Sequence, residues 1–267
     1  MTVKNLFLLG IFVSLTVLTG VFAEASPLDL SEWSSYDWNF GNSQASGSWQ
    51  VSGANKHFAY QFSDAGPSAY LNNSKWARYQ VEGSFRIMNT GCFGIVGFVF
   101  GYQDPSHFYL FDWKRYNSDV VGKDGIGFAI KRFSAPSLSD LSLSDFQSST
   151  STDSMEILIS SYGPFSRWSP FITYRFSLDY QQGIFHIKIN GVESSNILWD
   201  AEVNDGTYEY GQFGFYNFHQ GAAIYYSFSE TESSFAPELE PVPEPCTLLL
   251  LGCGVSGLVA VRRRFRR

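Results

Sequence analysis

The sequence predicts an all-β fold, an antiparallel two-sheet jelly-roll sandwich, flanked by an N-terminal signal peptide and a C-terminal transmembrane helix. Three observations predict it. Apolar and polar residues alternate with period two through the middle of the 267-residue chain, and no long stretch there has helical period. Short runs rich in aromatic and β-branched residues are separated by Gly, Asn, Asp and Ser. Aromatic residues make up 18% of the chain and charged residues only 16%, which argues against wholesale disorder and supplies rings for a sizeable core.

The elements follow in chain order. Residues 1–25 read as a secretory signal peptide: Lys4 gives a positive start, an apolar run reaches Phe22, and Ala23-Glu24-Ala25 offers a small-residue cleavage site. The globular domain spans 26–234, with its core at about 50–230. Residues 31–48 are loop-like, although they hold Trp33 and Trp38. Strands are expected around Phe58-Tyr60-Phe62, then around Tyr79, Val81, Phe85 and Ile87. Residues 94–102 are apolar throughout, as in a strand buried on both faces. Further strands are expected at 108–113, 126–130 and 155–159, with a Ser/Asp-rich loop over 134–154. Ile172, Tyr174, Phe176 and Leu178 alternate, a turn falls at 180–183, and Phe185, Ile187 and Ile189 alternate in return. Asn190-Gly191 predicts another tight turn with positive φ. Residues 212–218 and 224–228 close the domain.

A Pro/Glu-rich linker covers 235–245 and contains Pro243, Glu244 and Pro245. Residues 246–261 are uncharged and would rise roughly 24 Å as a helix, slightly short of a ~30 Å hydrocarbon core. The chain then ends in a basic tail, 262–267, with Arg262, Arg263, Arg264, Arg266 and Arg267 as a stop-transfer cluster on the cytoplasmic side.

Charge and residue inventory narrow the function. The chain is acidic, at −7, with its C-terminal arginines already counted, so a nucleic-acid partner is not expected. The four histidines, His57, His107, His186 and His219, lack metal-ligand spacing, and Cys92 is the one cysteine of the domain. No catalytic residue is assigned and the domain is not expected to be an enzyme. The alternative is a carbohydrate-active, glycoside-hydrolase-like jelly roll, which needs two carboxylates about 5–9 Å apart; Asp104 and Asp112 lie near one strand pair. For Ca²⁺, the candidate cofactor, the loops offer oxygen ligands at Asp104, Asn117, Asp119, Asp124 and Asp205. The same Asp/Asn-Gly pairs are also ordinary turn chemistry. Trp33, Trp38 and Trp168 stand in loop-like contexts and are candidates for stacking on a sugar ring, against the alternative of core packing.

Two resemblances add to this reading. Pro243-Glu244-Pro245, the apolar segment and the Arg-rich end resemble in that order the PEP-CTERM sorting signal of Gram-negative bacteria. That resemblance implies an exosortase-type membrane transpeptidase as partner, export across the inner membrane, membrane attachment through the C-terminus, and a cell-surface or extracellular-matrix destination near extracellular polysaccharide or surface protein. In a bacterial setting the glycosylation sequon Asn72-Asn73-Ser74 carries little weight. The run Phe98-Val99-Phe100-Gly101-Tyr102-Gln103-Asp104, with Phe108-Tyr109 and Trp113-Lys114, resembles the thrombospondin C-terminal domain, a concanavalin/laminin-G-like jelly roll. The likeness runs in order through Gly125-Ile126, Tyr174-Arg175-Phe176 and Gly211-Gln212-Phe213-Gly214-Phe215. It implies an adhesive, binding role. Asn89-Thr90-Gly91-Cys92-Phe93 stands where that family carries an acidic cluster, and the chain has no Arg-Gly-Asp.

Overall fold

A computed structural model describes residues 28–41, 45–90, 94–115, 125–163, 165–192 and 196–232. In chain order the strands are β1 (Ser34–Asp37), β2 (Trp49–Ser52), β3 (Phe58–Gln61), β4 (Ser68–Leu71), β5 (Arg78–Ile87), β6 (Ile95–Asp104), β7 (His107–Lys114) and β8 (Gly127–Ser134). A 3-10 turn (Leu138–Asp140) and a short helix, α1 (Leu143–Gln147), precede β9 (Met155–Tyr162), β10 (Thr173–Gln181), β11 (Ile184–Gly191), β12 (Ile197–Asn204), β13 (Gln212–Phe218) and β14 (Ala223–Glu232). They form two seven-stranded antiparallel sheets. The first has the order β1-β4-β13-β6-β7-β8-β9 and the second β12-β11-β10-β5-β14-β3-β2.

Alternation builds the second sheet. Val81, Phe85, Ile87, Phe176, Leu178, Tyr180, Phe185, Ile187 and Ile189 face the core, while the residues between them face outward. The first sheet meets them with Phe98, Phe100, Phe111, Trp113, Phe128, Phe213 and Phe215. Rings pack across the gap between sheets: Phe98 on Phe176 at 5.0 Å, Phe100 on Phe185 at 4.9 Å, Phe215 on Tyr225 at 4.5 Å. Residues 94–102 are buried on both faces, as their apolar run predicts, since Ile95 through Tyr102 are all buried. The reason lies outside the two sheets. Segment 134–154 folds over the back of the first sheet, and Phe146 and Leu141 join Trp38, Phe108, Phe133 and Tyr216 in a second apolar cluster there. The first sheet is therefore covered on both faces and the second on one.

Several expectations are corrected. Segment 134–154 is not all loop, because Ser142 starts α1 with a capping box in which the Asp145 carboxylate accepts from the Ser142 backbone N–H at 2.7 Å. Residues 31–48 hold β1. Asn190-Gly191 is not a positive-φ turn; both residues continue β11, opposite Arg175 and Tyr174. The other turn, expected at 180–183, is present as a tight turn at Gln182 (φ 45°) and Gly183 (φ 95°), between the paired Gln181 and Ile184. A Cβ on Gly183 would meet the Gly206 Cα at 2.5 Å, so Gly183→Val should destabilise this hairpin by about 1 kcal/mol or more, the scale of a misfit turn residue; thermal unfolding would show it as a lowered midpoint.

No helix among the described residues is long and apolar enough to cross a membrane. The expected signal peptide, the linker motif Pro243-Glu244-Pro245, the apolar segment 246–261 and the tail arginines lie outside the described residues, as does Cys92.

A polar tie joins the sheets at one end. Asn72, following β4, donates to the Glu230 carboxyl at 2.6 Å and accepts from the Phe213 N–H at 3.0 Å. Asn72 is only 3% exposed, so the sequon is closed to modification in the folded chain. Burial pushes the Glu230 pKa up to about 7 from 4.5, against the Asn72 hydrogen bond, which lowers it. Between those two values the folded chain holds a proton that the unfolded chain has released. Stability should therefore fall as pH rises from 4.5 to 7, and Glu230→Gln should flatten that slope in denaturation measured across the window.

Candidate functional site

The outward face of the second sheet is open, and its polar side chains converge on a groove of about 710 Å³. Strand register explains the convergence. Asn190, Arg175, Ser84 and Tyr226 are paired one beside the next across β11, β10, β5 and β14, forming a row perpendicular to the strands. A second row runs Lys188, Ser177, Glu82, Ser229. A third runs Thr173, Arg86, Ile224, Tyr60. Period-two alternation puts all of them on the face opposite the aromatic core. Between Tyr226 and Ser229 the pairing shifts by one residue, with Ser227 at φ 51° and Phe228 turned into the core. Such a bulge bends its strand and interrupts the flat sheet.

The polar inventory is mixed. Thr173 and Tyr226 share a hydroxyl–hydroxyl contact at 3.0 Å. Lys188 Nζ lies 3.3 Å from Asp200, which also binds His186. The His186 hydrogen bond, aided by Lys188, holds the Asp200 carboxyl below its ordinary range against the opposing effect of desolvation. Asn190 Oδ1 and Arg86 Nε are buried atoms without hydrogen-bond partners. Among the described residues Glu82 is the one carboxylate lining the groove. Along β3 and just past its end, half-buried rings continue the face to one exposed ring: Tyr226 to Phe58 at 5.9 Å, Phe58 to Tyr60 at 6.3 Å, Tyr60 stacked on Phe62 at 5.6 Å, with Phe62 53% exposed.

The sequence-derived candidates fall elsewhere. Trp33, Trp38 and Trp168 are corrected from ligand-stacking residues to packing residues. Trp33 stacks on Phe215 at 5.2 Å and meets Phe228 edge-on at 5.3 Å inside the sandwich. Trp38 packs on Phe108 and Phe146 behind the first sheet and donates its indole N–H to the Pro105 carbonyl at 2.8 Å. Trp168 is fully buried, with the Arg115 guanidinium 5.0 Å from its ring centre. A ring whose faces are already packed has none free for a sugar.

The acidic candidates divide. Asp104 sits in the β6–β7 turn and accepts from Ser106 N at 2.8 Å, Ser106 Oγ at 2.9 Å and His107 at 3.0 Å. Partial burial works to raise its pKa, but the Ser106 and His107 hydrogen bonds outweigh it and hold the carboxyl low. Asp205 is bound by Arg132, by the Tyr109 hydroxyl at 2.9 Å and by the Thr207 N–H at 2.9 Å. Its carboxyl too is held low, these bonds overcoming the opposing effect of burial. Both carboxylates are thus engaged in local structure. Asn117, Asp119 and Asp124 lie outside the described residues. Among the described residues no group of three or more His, Cys, Asp or Glu could hold a metal ion. Asp104 and Asp112 do not form a hydrolase pair, because Asp112 is fully buried and 2.7 Å from the Lys131 ammonium.

The groove was hidden from sequence reasoning because its residues are ordinary outward positions on four strands, and only pairing brings them into rows. The alternation itself was the one signal available, marking Arg175, Ser177, Lys188 and Asn190 as solvent-facing.

Comparison with known proteins places this architecture. The chain is 27% identical to thrombospondin-4 of Bos taurus over 154 residues, 54% of this chain and 16% of that protein. It is 24% identical to thrombospondin-1 of Xenopus laevis over 188 residues, 67% of this chain and 16% of that protein. The chain therefore spans about a sixth of the length of these curated relatives. Among solved structures, a carbohydrate-binding module, CBM66 from Bacillus subtilis, covers 76% of this chain and 96% of its own at 15% identity and TM-score 0.49. The VIP36 exoplasmic/lumenal domain in a Ca²⁺/Man-bound form covers 75% and 83% at 10% identity and TM-score 0.46. The description "thrombospondin C-terminal region" matches residues 44–232, which take in both sheets except β1. The chain belongs to the thrombospondin C-terminal region family.

Proposed function

We propose that this protein is an exported surface or matrix component whose sandwich binds glycan, without catalysis, in the groove on the open face of its second sheet. The groove itself carries the proposal: hydroxyls from Ser84, Thr173, Ser177 and Tyr226, the Asn190 amide and two cationic side chains converge on one depression. Polar groups of that kind match the hydroxyls of a sugar chain. The glycoside-hydrolase alternative is less well supported, since among the described residues Glu82 is the single carboxylate lining the groove, where retaining and inverting mechanisms use two. Calcium enters the proposal through Asn117, Asp119 and Asp124, and is tested by its presence or absence. The ends supply the route. The signal peptide directs export, and the tail, with Pro243-Glu244-Pro245 before an apolar segment and arginines, is read by an exosortase-type transpeptidase.

The full chain, presented to a glycan array with and without Ca²⁺, should bind a subset of polysaccharides. Ser177→Trp, which fills the groove from an outward-facing position, should reduce binding at least tenfold while leaving the unfolding midpoint unchanged. Loss of sorting is read separately by intact mass. A surface-extracted species that still carries Arg262 to Arg267 in a host with active exosortase would refute the processing step.

A further inference from the structure

The groove's charges and its neighbouring rings fit one class of glycan. Arg86 and Arg175 occupy diagonal positions on β5 and β10, facing the same way. Diagonal neighbours on adjacent strands are about 7–8 Å apart at the backbone, within reach of one another's long side chains. Neither guanidinium has a carboxylate within ion-pair distance among the described residues. Arg86 Nε is buried without a hydrogen-bond partner. Lys188, diagonal to Arg175 on β11, adds a third cation, partly neutralised by Asp200, and among the described residues Glu82, diagonal to Arg175 on β5, is the one carboxylate lining the groove. On a chain of net charge −7, an excess of cations here is a local reversal of sign. Two guanidiniums without an ion pair among the described residues share this face, and an anion between them would be attracted by both.

The rings supply the second half. From Asn190 through Arg175, Ser84 and Tyr226, the row meets Phe58 on the fifth strand, and five adjacent strands span roughly 19 Å at ~4.8 Å per strand. Half-buried Tyr60 and exposed Phe62 widen that end into an aromatic strip. Aromatic faces at a surface take the apolar CH face of a pyranose, whereas the arginines take a carboxylate through paired N–H donors.

We propose that the row from Asn190 to Phe58 is a linear track for a carboxylated polysaccharide of the uronic-acid type, with carboxylates at Arg86 and Arg175 and sugar rings on Tyr226, Phe58, Tyr60 and Phe62. This rests on the glycan-binding reading above and names its ligand class. The test measures binding of the full chain to polygalacturonate, to neutral dextran and to polyglutamate, which carries carboxylates without sugar rings. Polygalacturonate should bind at least tenfold more tightly than either of the others and weaken as salt screens the charges. Arg175→Gln and Arg86→Gln should each weaken polygalacturonate at least fivefold and remove most of the salt dependence together. Tyr60→Ala with Phe62→Ala should weaken polygalacturonate and leave polyglutamate unchanged. Equal binding of dextran and polygalacturonate overturns the carboxylate assignment while leaving glycan binding in place. Equal binding of polyglutamate and polygalacturonate overturns the aromatic half of the track. Binding to no polysaccharide on the wider array overturns the glycan-binding reading itself.

Discussion

Replacing Phe100 by alanine should cost roughly 3–5 kcal/mol, the range for removing a large buried aromatic side chain. Phe100 is fully buried in β6 and bridges the two sheets: it stacks on Tyr109 of its own sheet at 5.2 Å and meets Phe185 and Tyr180 of the other edge-on at 4.9 and 6.1 Å. Those neighbours are rings on strands held by hydrogen bonds on both sides, so they cannot collapse far into the space left behind. At a slope near 2 kcal/mol per molar urea, the midpoint should move by about 1.5–2.5 M. A shift corresponding to less than about 1 kcal/mol would show that β6 is not the central strand its pairing with β13 and β7 makes it.

The second large effect lies behind the first sheet. Asp112 of β7 and Lys131 of β8 are both fully buried with their charged atoms 2.7 Å apart, and Lys114 Nζ lies 4.0 Å from the same carboxylate. The two lysines also bind α1: Lys131 donates to the Phe146 carbonyl at 2.9 Å, and Lys114 to the Gln147 and Ser148 carbonyls at 2.7 and 3.2 Å. Cations placed against the last carbonyls of a helix complement its dipole. Asp112→Ala should cost about 3–5 kcal/mol, because it strands buried ammonium groups without a counter-charge. The double replacement Asp112→Leu with Lys131→Met should recover much of that loss, and a double-mutant cycle reads the coupling directly. If the single and double variants were equally unstable, the ion pair would be incidental to the packing of α1.

The same cluster sets a pH dependence. Burial, then the neighbouring Lys131 charge, pushes the Lys114 pKa down to about 7 from 10.5, with Asp112 opposing. Above pH 7 the folded chain has released a proton that the unfolded chain keeps until about 10.5. Stability should therefore rise across that window, opposite in sign to the Glu230 effect below pH 7. Lys114→Met should remove the rise in denaturation measured from pH 7 to 10.

Period-two alternation makes β5, β10 and β11 legible in the sequence, because each has one apolar and one polar face. β6 is legible for the opposite reason, an uninterrupted apolar run. Four strands are not legible. β1, β2 and β4 are four residues each and, unlike equally short β3 with its Phe58-Tyr60-Phe62 alternation, carry no repeated aromatic to mark a period, and β12 reads Ile-Leu-Trp-Asp-Ala-Glu-Val-Asn, with Ile197 and Leu198 exposed at the sheet edge. Segment 134–154 is legible as polar but not as a cover, since its buried residues, Leu141 and Phe146, are too widely spaced to announce a face. The site is less legible than the fold. Trp33, Trp38 and Trp168 sit among Ser, Asn and Pro, and composition assigns them to the surface where packing assigns them to the interior.

The sequence by itself determined the class of the fold, the aromatic identity of the core and the family, because these follow from local alternation and from motifs contiguous in the chain. Tertiary structure alone decided which sheet keeps an open face and which side chains meet on it. Arg86, Arg175, Lys188, Asn190 and Tyr226 come from four strands that the chain visits in the order β5, β10, β11, β14, and hydrogen-bond register, a pairing between distant residues, sets them side by side.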